Sequence, residues 1–223
     1  MRGRISTYEG ATENAFGPNS IRVTDNFRRI PWDTAHLVIP GSYGQSMKKL
    51  YLSPFTGLQS LVIGSGCFTN ISKLQLNNLN SLEYIKIGEI SFFKKAILNV
   101  LSYLHIVDCP LLREIDIGMK SFTYTTEFHL KQLPSLQFIR LRGGNFEQAT
   151  DLMLMGRKWL KIHFGYYSYY SYSLSNHLID LPSLELVEFG PGTYCNCRCV
   201  VFQSNSHVIP HLIHFTLITP SIK

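Results

Sequence analysis

Charge is scarce in this chain. Of its 223 residues only 16% are Asp, Glu, Lys or Arg, against about 25% in an ordinary soluble domain. The 45% hydrophobic content excludes a largely disordered chain, which would lack the apolar area needed to offset the entropy of folding. Long apolar runs are missing too. The best, Ile97 to Val107, is interrupted by Asn99 and His105 and falls short of the ~20 residues that span a bilayer. The basic opening MRGRISTYEG is followed by no apolar stretch, so neither a secretory signal nor a membrane partner is expected. Five cysteines, an odd number, argue against a fully paired disulfide framework, and a reducing, cytoplasmic setting is favoured. The sequon Asn70-Ile71-Ser72 then reads as a chance match. Catalytic signatures are also wanting: no nucleophile elbow, lysine-containing phosphate loop or HExxH helix occurs. The expectation is a non-enzyme without cofactor.

What the chain has is repetition. Leu58-Gln-Ser-Leu61-Val-Ile63-Gly64 returns as Leu82-Glu-Tyr-Ile85-Lys-Ile87-Gly88 and as Leu112-Arg-Glu-Ile115-Asp-Ile117-Gly118. Weaker copies begin at Leu136, Leu160, Leu184 and Leu212, the one at Leu160 being a residue short, and a degenerate copy precedes them from Thr34. The spacings between these anchors are 24, 24, 30, 24, 24, 24 and 28 residues. Such a period is the mark of a repeat architecture. Four residues after each glycine position stands an aromatic preceded by a small or polar residue: Cys67-Phe68, Ser91-Phe92, Ser121-Phe122, Asn145-Phe146, then Ser168-Tyr169 and Thr193-Tyr194. A second alternating segment follows in each unit, as in Leu50-Tyr-Leu52, Leu74-Gln-Leu76, Leu104-His-Ile106, Phe128-His-Leu130 and Leu152-Met-Leu154.

Alternation with a period of two makes a short strand with one buried face. Two such strands per unit give a β-rich repeat solenoid of about eight stacked coils. No coil can bury its apolar side alone, so each rests on the next, about 4.8 Å further along. The aromatics should form an internal stacked column, and the glycines should supply a turn conformation that other residues resist. Residues 34–223 form the array. Residues 1–33, with the possible strand Ser20–Thr24 and the apolar Phe27, Ile30 and Trp32, form an N-terminal segment or partial cap. The C-terminal end is expected to be uncapped, with end-to-end self-association as one consequence.

The run Ile-Gly-x-x-[Ser/Cys]-Phe at Ile63–Phe68, Ile87–Phe92 and Ile117–Phe122 resembles leucine-rich-repeat proteins of the BspA-like class, over roughly residues 34–217. The likeness lacks the Asn that ladders through many such repeats. It implies a curved scaffold that binds another protein without catalysis.

In the first strand of each unit, the residues between the apolar ones are expected to face solvent in two columns. One holds Ser60, Tyr84, Glu114, Phe138, Leu186 and His214; the other Val62, Lys86, Asp116, Arg140, Glu188 and Thr216, with His163 in the shortened unit. Aromatics mixed with both signs of charge suit a protein interface, and Tyr84, Lys86, Phe138, Arg140 and Glu188 are its candidate contacts. Tyr166, Tyr167, Tyr170 and Tyr172 form a second candidate patch, since tyrosine gives broad amphipathic contact at low entropic cost.

The second strands carry His105, His129 and His177 in one column. Neighbouring imidazoles could share a transition metal, but no carboxylate or thiolate is seen beside them, so no metal site is expected. Cys195, Cys197 and Cys199 could line one side of an extended segment, with His207 and His211 in the loop beyond, yet spacing fixes no fourth ligand. The alternative partner is nucleic acid, through Arg140, Arg142, Arg157, Lys158 and Lys161 with stacking tyrosines. The net charge of +6 favours it. Glu147 and Asp151 break the cluster, whereas a footprint should be a continuous stripe of one sign.

Overall fold

The computed structural model describes residues 20–22, 30–94, 101–155, 160–164, 175–179, 184–189, 200–203 and 215–217. Among these every regular element is a strand, and no helix is long and apolar enough to cross a membrane. One sheet has nine strands: β1 (Ser20–Arg22), β2 (His36–Ile39), β3 (Ser60–Ile63), β5 (Tyr84–Ile87), β7 (Glu114–Ile117), β9 (Phe138–Leu141), β11 (Leu160–Phe164), β13 (Leu184–Phe189) and β15 (Phe215–Leu217). The other has six: β4 (Lys73–Asn77), β6 (Tyr103–Val107), β8 (Glu127–Lys131), β10 (Asp151–Met155), β12 (Ser175–Ile179) and β14 (Val200–Gln203). All pairings are parallel, and within each sheet the strands follow sequence order. From β3 onward the chain therefore alternates between the sheets as it advances, an arrangement compatible with a β-rich repeat.

Register follows the sequence period. Ser60 faces Tyr84 and Glu114 faces Phe138, steps of 24 residues, whereas Tyr84 to Glu114 is a step of 30. The shortened copy at Leu160 is absorbed as an irregularity: Leu160 faces Leu184 but Lys161 faces Leu186. At the N-terminal side β1 pairs with β2, and Ile30 is buried. Trp32, expected to help close that end, is instead 72% exposed. Leu50 and Leu52 are buried without forming a strand, so the six-stranded sheet begins one unit later, at β4.

The core lies between the sheets. Leu61, Ile63, Ile85, Ile87, Ile115, Ile117, Ile139 and Leu141 enter it from one side, and Leu74, Leu76, Leu104, Ile106, Phe128 and Leu130 from the other. Phe68, Phe92, Phe122 and Phe146 are buried in a column, with centroids 5.3, 4.7 and 5.5 Å apart in succession. Each of these four has a left-handed backbone, φ between 53° and 55°. That conformation costs about 1–2 kcal/mol in an L-residue, and full burial of a phenylalanine side chain contributes about 1.5–3 kcal/mol. Burial of the ring thus offsets the strain that aims it inward.

The glycines of the Ile-Gly step act otherwise than the sequence suggested. Gly64, Gly88 and Gly118 do not have positive φ. A Cβ on Gly88 would lie 2.5 Å from the backbone nitrogen of Ser65, and one on Gly118 2.6 Å from that of Glu89. Glycine stands here because adjacent backbones nearly touch.

A buried polar ladder runs beside the ring column. The backbone N–H of Cys67 donates to Ser91 Oγ (3.2 Å), that of Ser91 to Ser121 Oγ (3.0 Å), and that of Ser121 to Asn145 Oδ1 (2.9 Å). The same side chains donate to main-chain carbonyls, Ser91 to Gly64, Ser121 to Gly88 and Asn145 to Ile117. Serine and asparagine serve at one position because each supplies both an acceptor and a donor. These bonds satisfy main-chain groups where the chain leaves the sheet.

Candidate functional site

On the outer face of the nine-stranded sheet, register brings the first-strand columns together. Lys86 faces Asp116, Asp116 faces Arg140, Arg140 faces His163, and Glu188 lies between His163 and Thr216. Tyr84, Lys86, Phe138 and Arg140 are half-buried. Asp116, expected to be exposed, is 4% exposed. The reason is its partners: Arg140 approaches its carboxylate at 3.4 Å, and Arg142 reaches both of its oxygens at 3.4 Å. A buried carboxylate persists when such donors replace its water. The Arg140 guanidinium also lies over the Phe138 ring, 4.7 Å from its centroid, a cation–π contact. Beside them, burial pushes the Glu114 carboxyl above its ordinary range; Asp116 adds to the effect while Arg140 and Lys86 oppose it. A cleft of about 270 Å³ opens along this face, with Tyr84, Glu114, Ser60 and His36 among its walls.

Two of the five cations considered for nucleic acid, Arg140 and Arg142, thus converge on a carboxylate. Arg157 and Lys158 lie outside the described residues, and of Lys161 the structure describes only the backbone on β11. Tyr166, Tyr167, Tyr170, Tyr172, Cys195, Cys197, Cys199, His207, His211 and His214 also lie outside them.

On the outer face of the six-stranded sheet, His105 faces His129 across β6 and β8, and His177 occupies the next but one strand, opposite Met153. The rings of His105 and His129 stack with centroids 4.5 Å apart and planes 2° from parallel. Tyr103 stacks on His105 from the other side at 4.3 Å. Each imidazole meets a carboxylate, contrary to the sequence reading: His105 Nε2 lies 3.0 Å from Glu127 Oε2, and His129 Nε2 lies 2.8 Å from Asp151 Oδ2. Glu127 precedes His129 by two residues, and Asp151 precedes Met153 by two, so strand alternation places each on the histidine face. Each carboxylate lies one alternation step back, past Phe128 and Leu152 respectively. Burial lowers the His105 pKa, the neighbouring His129 lowers it further, and Glu127 opposes both.

Compared with protein-family models, curated proteins and solved structures, the chain matches none.

Proposed function

We propose that the chain is a leucine-rich-repeat-like solenoid of the BspA-like type, about eight coils with two short strands each, and that it is a non-catalytic scaffold for binding another protein. One observation carries the reading: Arg140 lies over Phe138 while bonded to the buried carboxylate of Asp116. An arginine and an aromatic ring held in place before contact reduce the side-chain ordering that binding requires, and both are residue types that dominate interface energetics. Tyr84 and Lys86, two strands away on the same face, extend the patch toward the cleft. Glu188 continues the column by register, and Tyr166, Tyr167, Tyr170 and Tyr172, outside the described residues, are proposed as further contacts.

The test compares the wild-type protein with a Tyr84/Phe138/Arg140→Ala variant of unchanged circular dichroism, each used as bait in lysate of the source cell. The expected outcome is a discrete protein retained by the wild type and lost by the variant. Recovery of the same set by both would remove this face from consideration. If the captured material is nuclease-sensitive and its retention falls steeply between about 50 and 200 mM salt, the nucleic-acid alternative replaces the proposal.

A further inference from the structure

The histidine face of the six-stranded sheet is separate from the surface just described and has chemistry of its own. Donor atoms of His105, Glu127 and His129 all lie within 4.8 Å of one another. They belong to adjacent strands, and parallel register sets their spacing: His105 faces His129 and Tyr103 faces Glu127. Two imidazoles and a carboxylate form a borderline donor set of the kind that takes zinc and its first-row neighbours. We infer that His105, Glu127 and His129 bind a divalent transition-metal ion, with zinc as the reference ion, bridging β6 and β8.

The geometry permits it once the two stacked rings, now 2° from parallel, tilt so that their in-plane nitrogen lone pairs converge. Ligands sit about 2.0–2.2 Å from a tetrahedral zinc, so two donors on one ion lie about 3.3–3.6 Å apart. The side chains of His105, Glu127 and His129 are 22%, 25% and 13% exposed, enough freedom for rotamer changes to close the widest pair by about an ångström while sheltering the ion. His105 and Glu127 already stand 3.0 Å apart, a separation that two ligands of a single ion adopt. Orientation is supplied by the neighbours. Tyr103 packs against one face of His105, and Asp151 on β10 holds the His129 ring and places a second carboxylate beside the group. Supporting contacts of this kind commonly govern metal affinity. Three protein ligands leave a fourth position for water or an outside donor. An ion here would tie neighbouring strands together, so its binding energy would add to folding stability.

The test titrates the full chain with zinc chloride by calorimetry, beside His105→Ala, His129→Ala and Cys195/Cys197/Cys199→Ser variants. The expected result is one ion per chain with micromolar or tighter affinity, and a rise in thermal midpoint that chelator reverses. Each histidine variant should lose at least the ~10–100-fold that removal of a supporting residue alone costs, and the cysteine variant should bind like the wild type. No uptake by the wild type at about 100 µM zinc would overturn the inference. So would uptake that is undiminished in both histidine variants or disappears with the cysteines. Cobalt substitution in the unaltered protein provides a readout independent of variant folding. Nitrogen and oxygen ligation is expected, and intense thiolate-to-cobalt absorption would contradict the assignment.

Discussion

Asn145 Oδ1 accepts the backbone N–H of Ser121 at 2.9 Å, with both residues at 0% exposure. Replacing Asn145 by alanine leaves that N–H without its acceptor, while the Ile117 carbonyl loses its second donor and keeps the Arg142 backbone N–H. A buried group left unsatisfied costs about 1–3 kcal/mol, so the urea midpoint should fall with little change in slope. Asn145→Ser should recover much of the loss, because serine fills the equivalent place at 91 and 121. Equal destabilisation by serine and alanine would show that the hydroxyl cannot substitute here.

Gly88 and Gly66 separate two reasons for a glycine. An alanine methyl at Gly88 would meet the Ser65 backbone at 2.5 Å, whereas at Gly66 the nearest atom is 3.6 Å away but φ is 69°. Gly66→Ala should cost roughly 1–2 kcal/mol, from backbone conformation alone. Gly88→Ala forces two backbones apart and should cost more, at or above the upper end of the ~1–3 kcal/mol typical of overpacking. Denaturant melts of the two variants give the order directly, and the reverse order would refute the close-approach argument.

Asp116 should reveal itself through its partners. Loss of Arg140 or Arg142 alone leaves the other guanidinium on the carboxylate. Loss of both removes two cations from a side chain that is 6% exposed. Uncompensated buried charge costs about 3–5 kcal/mol; Lys86, the register partner on β5, should hold the double variant near the lower end. A double-mutant cycle by chemical denaturation should therefore be non-additive, with the pair costing more than the sum of the singles. Strict additivity would mean that the two arginines do not share the load.

Cys109 predicts a pH response. Burial, helped by the negative charge of Asp108, pushes its thiol up to about 11 from an ordinary value of 9.0. Between those values the folded chain keeps a proton that the unfolded chain releases, so stability falls as pH rises from about 9 to about 11. The shift corresponds to a loss of about 3 kcal/mol. Urea midpoints across that range should decline less steeply in Cys109→Ala than in the wild type. Cys67, also buried and raised, contributes in the same sense and remains in both proteins.

Strand order and register were readable because alternation and period both leave marks on sequence. Leu-x-x-Ile-x-Ile fixes which residues enter the core, and an interval of 24 tells which neighbour each one meets. The ring column was equally visible at Phe68, Phe92, Phe122 and Phe146. The contribution of the residue before each ring was not, since cysteine, serine and asparagine look unrelated until their shared hydrogen-bonding role is seen. Gly88 was read as a turn because sequence records a missing side chain but not what would collide with it. Asp116 looked exposed by alternation alone, which is blind to the arginines that replace its water. Glu127 and Asp151 stand just before Phe128 and Leu152, outside the apolar pattern that defines the unit, so that pattern does not mark them as neighbours of the histidines.

The 30-residue step from Tyr84 to Glu114 on one sheet recurs on the other, where Lys73 faces Tyr103. Six additional residues have therefore entered between β5 and β6, and neither register has slipped. Length can be added at such a junction without renegotiating any pairing, much as a page can be let into a bound book between sections. For an evolving lineage this uncouples novelty from foldability: a connector can grow or change its chemistry while both sheets are inherited intact. For an experimenter it marks the stretch between Lys94 and Leu101, past the buried Phe92 and before the buried Ser102, as a place to graft a reporter peptide.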